Sequence, residues 1–324
     1  MSTDRAEPRP APRPANVLYA GEPDQWPLYR EALAAACARA NVPVRLSDSA
    51  PDPAAIDYIV YAPTGPLEDF SPFTGLKAVL SLWAGVETFQ DNRTLKAPLA
   101  RMVDRGLSEG MAEWVLGHAM RHHLGMDLHI FGQDGIWRNQ ITPPLARNRP
   151  VGMLGLGVLG SLAARYLAGA GFPVTGWSRR PKEIDGITCL SGEDGLRRVL
   201  ESSEILVLLL PLTAATRNLM NAERLALLPR GAFLLNPGRG PLIDDTALLE
   251  ALDTGHVAHA TLDVFRTEPL PEDHPYWAHP QVTVTPHIAS ETRAETACDT
   301  IAENIRRGEA GEPFLHLVDR RAGY

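Results

Sequence analysis

Cysteine is scarce in this chain: Cys37, Cys189 and Cys298 are scattered single residues among 324. An odd number without a CxxC pair excludes a disulfide framework and fits a reducing compartment, so a cytoplasmic location is expected. Metal signatures are missing too. No HExxH pattern occurs. His118 and His122 stand at i, i+4 with His123 and His129 close by, yet no acidic partner is placed to complete a site. No metal is expected, and these histidines are expected to be solvated or to lie at an interface. There is no run of 18 apolar residues, hence no expected membrane span. Positive charge is not in excess either: the net charge of −8 argues against nucleic acid or an anionic membrane surface as the main partner. Residues 1–15, MSTDRAEPRPAPRPA, are rich in Pro, Arg and Ala and lack the apolar segment of a signal peptide, so they are expected to form a disordered tail.

What the chain does have is apolar residues, 44% of the total over a length sufficient for two domains with real cores. The stretch from Arg149 to Arg180 organises them. Val151 to Leu154 reads as a strand that enters GLGVLG, and Leu162, Ala163, Tyr166 and Leu167 then recur at helical spacing before a second strand, Pro173 to Trp177. In such a turn Gly155 permits the tight bend, Gly157 lets a pyrophosphate approach the backbone, and Gly160 lets the helix pack on the strand. The helix start offers unpaired N–H groups to phosphate. A dinucleotide site is expected here. At the end of the second strand, where an acid usually holds the ribose of NAD, the chain has Ser178, Arg179 and Arg180. Two guanidiniums and no acid suit the 2′-phosphate of NADP.

Strands and helices alternate on both sides of this unit. Before it come the strands Val17 to Ala20, Val44 to Leu46, Ile56 to Tyr61 and Lys77 to Leu82, with a helix from about Gln25 to Ala40. SLWAGVE follows as a strand entering a glycine turn, where the N–H groups around Ala84, Gly85 and Val86 are candidates to hold a small anion. A helix with Ser108 as N-cap is expected to run to about Asp127, and residues 131–149 to form an extended loop with Trp137. After Arg180 the strands Ile205 to Leu210, Ala232 to Asn236, Ala258 to Asp263 and Val282 to Thr285 alternate with helices near residues 192–202, 222–227 and 245–253. A last helix is expected over Ser290 to Arg307. Near-continuous runs such as ILVLLL suit a parallel sheet buried on both faces.

Three strand ends of the second half carry the polar groups. NPGRG places Arg239, DVFRTEPL places Glu268, and TPHIAS places His287, all at the carboxyl edge where a doubly wound sheet binds its ligands. An arginine can hold a carboxylate bidentately, a histidine can give up a proton near neutral pH, and a neighbouring glutamate can fix and charge the imidazole.

Taken in order, GLGVLG, SSEILVLLLPLTAATRNLMN, LPRGAFLLNPGRGPLIDD, LDVFRTEPLPEDHPYW and VTVTPHIAS resemble the D-isomer-specific 2-hydroxyacid dehydrogenase family. SLWAGVE and GLSEGMAEWVLGHAMRHH point to its glyoxylate/hydroxypyruvate reductase branch. The resemblance implies an α/β fold, a Rossmann dinucleotide-binding domain (111–289) inserted into a flavodoxin-like substrate domain (16–110, completed by 290–324), both with parallel sheets. It implies that Arg239 holds the carboxylate and keto oxygen of a small 2-oxoacid, that His287 is the general acid, and that Glu268 is its partner. Cofactor contacts are expected from Gly155, Gly157, Val158, Leu159, Gly160, Ser178, Arg179, Arg180, Pro211 and Asp263, with NADPH preferred over NADH. Trp83, Ala84 and Gly85 join Arg239 and His287 as substrate contacts, Trp83 either walling the pocket or packing in the core of its own domain. A homodimer through the nucleotide-binding domain is expected. Val158 departs from the family pattern, which has a small or polar residue there. The alternatives are a reductase of larger oxoacids such as phenylpyruvate, and a dinucleotide-sensing regulator that does not turn over.

Overall fold

The chain divides into two compact units in the computed structural model, which describes residues 13–89, 92–140 and 142–320. One unit takes the described residues through Asp104 together with those from Thr292 onward, and the other is Arg105–Glu291. The first unit begins with β1 (Ala15–Ala20), α1 (Trp26–Arg39), β2 (Val44–Ser47), β3 (Tyr58–Tyr61), β4 (Ala78–Ser81) and β5 (Leu99–Ala100). The second runs through α2 (Arg105–Leu124), α3 (Met126–Ile130), β6 (Val151–Leu154), α4 (Val158–Gly169), β7 (Val174–Trp177), β8 (Thr188–Leu190), α5 (Gly192–Ser202) and β9 (Ile205–Leu208). It continues with α6 (Ala222–Leu225), β10 (Ala232–Asn236), α7 (Asp245–Asp253), β11 (Val257–Leu262) and β12 (Val282–Val284). The chain then returns to the first unit as α8 (Ala294–Ala310).

Both sheets are parallel throughout. The first has the order β2-β1-β3-β4-β5, that of a flavodoxin-like fold. The second has the order β12-β11-β10-β9-β6-β7-β8, a doubly wound Rossmann sheet whose direction of winding reverses between β6 and β9. Crossover connections put helices on both faces, so the central strands must be apolar along their length. YIVY of β3 and ILVL of β9 are buried at every position. In the second unit α2 packs on α4, with Ala112, Val115 and Ala119 meeting Ala163, Ala164 and Leu167 in one cluster. Small residues on both helices let the backbones approach closely.

Several expectations are corrected. Residues 1–12 of the expected tail lie outside the described residues, but its last residues are ordered. Arg13 pairs with Asp57 at 2.8 Å, and Ala15 opens β1 with its N–H on Pro43 O at 2.9 Å. Ser108 is not an N-cap: α2 starts three residues earlier at Arg105, and Ser108 is buried within it. The whole helix falls in the second unit, since a boundary at residue 111 would cut through continuous helical hydrogen bonding. The last helix starts at Ala294, after a loop in which Ser290 and Thr292 bond backbone carbonyls. Two of the four histidines are not solvated, while His118 is half-buried and His129 is exposed. His122 and His123 are 4% and 5% exposed. His122 Nε2 lies 2.9 Å from Thr261 Oγ1, with its ring stacked on Phe233, and His123 meets Phe172 edge-on. Burial, then the charges of neighbours from His259 to Arg149, pushes His122 down to about 2.

Candidate active site

The glycine turn between β6 and α4 assigns a separate job to each glycine. Gly155 has φ +108°, and a Cβ there would come within 2.4 Å of Leu209 O. At Gly160 a Cβ would lie 1.9 Å from Gly155 O, so only hydrogen fits between helix and turn. Gly157, the N-cap of α4, has no side-chain cap, and a Cβ built there would meet nothing within 4 Å. Two glycines are therefore required by packing, and the third faces open space at the start of a 12-residue helix. That cradle fits a pyrophosphate, which needs close approach to N–H groups at a helix N-terminus. Val158, with 49% of its surface exposed, and the half-buried Leu159 form the first helical residues beside it. Pro211 is exposed after β9, and its carbonyl accepts the Thr216 hydroxyl at 2.7 Å.

At the end of β7 the Ser178 side chain is buried and donates to Arg180 O at 2.7 Å. Arg179 and Arg180 are exposed. The sequence reading missed a third cation: Lys182 reaches back so that Nζ bonds Leu156 O, within the glycine turn itself. Its spacing from the glycines gave no signal, because the contact depends on the chain doubling back after β7.

His287 and Glu268 meet at the carboxyl edge of the second sheet. His287 Nδ1 lies 2.8 Å from Glu268 Oε2, while Glu268 Oε1 accepts the Phe265 N–H at 2.8 Å. The glutamate is thus fixed at both oxygens. Its loop is anchored by Arg266, which bonds Asp245 at 2.8 Å and also Asn218 and Ile243 O. The two partners shift in opposite senses. The Glu268 hydrogen bond raises the His287 pKa against the effect of burial, and the Glu268 charge adds to it. For Glu268, burial pushes up, but the His287 bond, the Phe265 amide and the charges of His287 and Arg239 together pull the carboxyl below its usual range. Arg239 follows β10, its Nη1 donating to Gly238 O at 2.7 Å. The arrangement can hold a carboxylate at a guanidinium and a transferable proton at His287 Nε2, the ring nitrogen not committed to Glu268. Asp263, expected as a cofactor contact, is fully buried and accepts hydrogen bonds from Thr285, Ile288 and Ala289.

In the first unit, Trp83 follows β4 and is 41% exposed, so it does not pack in the core. Its N–H bonds Ser81 Oγ at 3.0 Å and its carbonyl accepts the Met102 N–H at 2.9 Å. These bonds brace the turn, and Ala84 and Gly85 are half-buried beside it.

A Rossmann sheet with a fitted pyrophosphate cradle and an Arg, Glu and His at its ligand edge defines a dinucleotide-dependent oxidoreductase. Comparison with known proteins gives the family. Residues 115–289 match the model of the D-isomer specific 2-hydroxyacid dehydrogenase NAD binding domain. Glyoxylate/hydroxypyruvate reductase A of Yersinia enterocolitica is 40% identical over 277 residues, covering 83% of this chain and 88% of that protein. A crystal structure of a D-isomer specific 2-hydroxyacid dehydrogenase from Xanthobacter autotrophicus, in complex with NADPH and MES, is 42% identical with a TM-score of 0.88, covering 96% of this chain and all of that one. The NADPH-dependent glyoxylate/hydroxypyruvate reductase of Sinorhizobium meliloti, in complex with NADP and sulfate, is 35% identical with a TM-score of 0.84 and the same coverage. The chain belongs to the D-isomer-specific 2-hydroxyacid dehydrogenase family, in its glyoxylate/hydroxypyruvate reductase branch, and is an NAD(P)-dependent oxidoreductase. Among the described residues no helix is long and apolar enough to cross a membrane.

Proposed function

We propose that this enzyme reduces small 2-oxoacids, glyoxylate and hydroxypyruvate first, and takes NADPH in preference to NADH. The observation that carries the reading is the 2.8 Å contact of His287 Nδ1 with Glu268 Oε2, on the sheet edge that also bears Arg239 and the glycine cradle. Arg239 holds the substrate's carboxylate and keto oxygen. His287 gives the Nε2 proton to the keto oxygen as the carbonyl carbon becomes a carbinol, and Glu268 keeps the imidazole charged until then. NADPH, when bound, supplies the hydride. Ser178, Arg179 and Arg180, with Lys182, hold the 2′-phosphate through charge-assisted hydrogen bonds, and the absence of an acid there leaves nothing to select the NAD ribose. The solved relatives from Xanthobacter and Sinorhizobium, crystallised with NADPH and NADP, support that preference. The relatives named glyoxylate/hydroxypyruvate reductase support short oxoacids as substrates.

The assembly we propose is a homodimer through the second unit. Phe131 and Trp137 are 77% and 88% exposed, and Ile130, Ile136 and Leu145 beside them in sequence are more than half exposed. So large an apolar stretch suits a partner surface better than water, and a twofold dimer is the commonest closed solution. Light scattering should return twice the chain mass, and a single-chain mass at micromolar concentration would contradict the dimer. The three thiols are free, in keeping with the proposed cytoplasmic location. The function itself is tested by kcat/KM with NADPH and with NADH across glyoxylate, hydroxypyruvate, pyruvate and phenylpyruvate. The two small acids with NADPH should rank highest. A preference for phenylpyruvate, or equal use of NADH, would overturn the corresponding part of the reading.

A further inference from the structure

His287 has φ +55°, a left-handed conformation that L residues with a Cβ adopt only when the surroundings enforce it. The surroundings here are one residue. The His287 N–H donates to Asp263 O at 2.8 Å and also approaches Thr285 O at 3.0 Å. The next two amides turn onto the Asp263 carboxylate, Ile288 N–H to Oδ1 and Ala289 N–H to Oδ2, each at 2.9 Å. The Thr285 hydroxyl donates to Oδ1 at 2.6 Å. Asp263 is itself 0% exposed at the end of β11, where its own N–H is tied to Asn236 O at 3.1 Å. Three consecutive N–H groups therefore close on the backbone and side chain of one buried aspartate, like an anion nest whose anion is supplied by the neighbouring strand.

We propose that Asp263 is a positioning residue, which holds the backbone of residues 285–289 in the one conformation that sets His287 Nδ1 against Glu268 Oε2. The proposal rests on the reading of His287 as the general acid. It gives Asp263 a task different from the cofactor contact expected from the sequence: the carboxylate oxygens are engaged by donors of the His287 loop. Asp263 acts through that loop and not on the substrate. Without this anchor the loop relaxes out of the left-handed region, and the imidazole turns away from Glu268. The charged groups acting on the ring are Glu268, Arg239 and Asp263. Loosening the loop removes the Glu268 contact, the largest influence keeping the ring protonated.

The sharpest test is Thr285→Val, which deletes one bond to Asp263 while keeping the branched volume, beside Thr285→Ser, which restores the hydroxyl. Deleting a hydrogen bond to a charged acceptor should lower kcat for glyoxylate reduction about 10-fold. The alkaline fall of activity should move to lower pH, the NADPH Kd should be unchanged, and serine should restore both rate and profile. In the cofactor-free enzyme the His287 ring, followed by NMR, should titrate at lower pH in Thr285→Val than in the wild type. Asp263→Asn should go further, because an amide NH₂ cannot accept from all three donors. The proposal is overturned if Thr285→Val keeps the wild-type kcat and ring titration, or loses only thermal stability. It is equally overturned if Asp263→Asn weakens NADPH binding while the pH profile stays put, since that is the behaviour of a cofactor contact. If instead His287→Ala retains turnover, the general-acid reading is what fails. The ring titration still reports on the loop by itself.

Discussion

Alanine at Gly157 and alanine at Gly160 put the same methyl group at two points of one turn, and the structure separates their consequences. At Gly160 the new Cβ would lie 1.9 Å from Gly155 O, where real contacts stay beyond 3.0 Å, so the start of α4 must retreat by about 1.1 Å. Ala163, Ala164 and Leu167, all fully buried on that helix, would lose their fit with it. Overpacking of this kind costs about 1 to 3 kcal/mol, and a backbone oxygen that cannot rotate aside places it at the upper end. For a unit of this size that is roughly 5 to 10 °C in the melting temperature of the cofactor-free protein. At Gly157 the methyl meets nothing within 4 Å, and φ is −69°, which alanine adopts freely. The only cost is a poorer N-cap residue, about 0.5 to 1 kcal/mol. The methyl does occupy the space through which a pyrophosphate must reach the helix start, so NADPH affinity should fall about 10-fold or more, as it does when a charge-assisted contact is lost. Thermal unfolding without cofactor and fluorescence titration with NADPH read the two effects independently. Wild-type NADPH affinity in Gly157→Ala would remove the cofactor from this cradle. Equal stability of the two variants would refute the packing argument.

Removing the cations at the end of β7, Arg179→Ala with Arg180→Ala, should lower kcat/KM for NADPH at least about 10-fold and leave NADH nearly unaffected; an equal loss for both cofactors would place these arginines elsewhere. Because the His287 pKa is raised by Glu268, the protonated acid survives to higher pH and is lost as pH rises through that raised value. Glu268→Gln should therefore shift the alkaline fall of kcat/KM to lower pH, and an unmoved profile would uncouple the pair. His122 and His259 carry the opposite sign: burial chiefly lowers them to about 2 and about 4, below the ordinary 6.5. The unfolded chain binds their protons first. Stability is then complete above pH 6.5 and declines below it, by about tenfold in the unfolding constant per pH unit for each histidine. Urea unfolding from pH 7 to 4.5 should show a shallower decline in His122→Phe than in the wild type, and parallel curves would contradict the assignment.

Much of the fold was legible because buried parallel strands and a glycine turn leave local marks. ILVLLL, the GLGVLG spacing and the limits of α5, β10 and α7 all follow from residues adjacent in sequence. β5 and β8 were missed because two and three residues, LA and TCL, are too short to show a period. Ser108 misled as a cap because SEGM looks like a helix start, whereas the tertiary setting extends the helix back to Arg105 and buries the serine. The site was legible as a set of strand ends, since a parallel sheet sends every carboxyl end to one edge. What it could not disclose was long-range pairing: Lys182 on Leu156 O, Arg266 under the Glu268 loop, and Asp263 beneath His287. The placement of His122 belongs to the same group. The sequence suggested a solvated or interface histidine, but its surroundings are Phe233, Thr261 and His259, from strands far along the chain.

The central claim is that His287, charged through Glu268, gives the proton that completes reduction of a small 2-oxoacid. Loss of NADPH absorbance with glyoxylate and hydroxypyruvate, in the wild type and His287→Ala side by side, measures it most directly. The account predicts turnover of both acids by the wild type and a loss in the variant of about 100-fold or more, the usual worth of a positioned proton donor, with NADPH binding retained. Near-wild-type reduction by His287→Ala would contradict it.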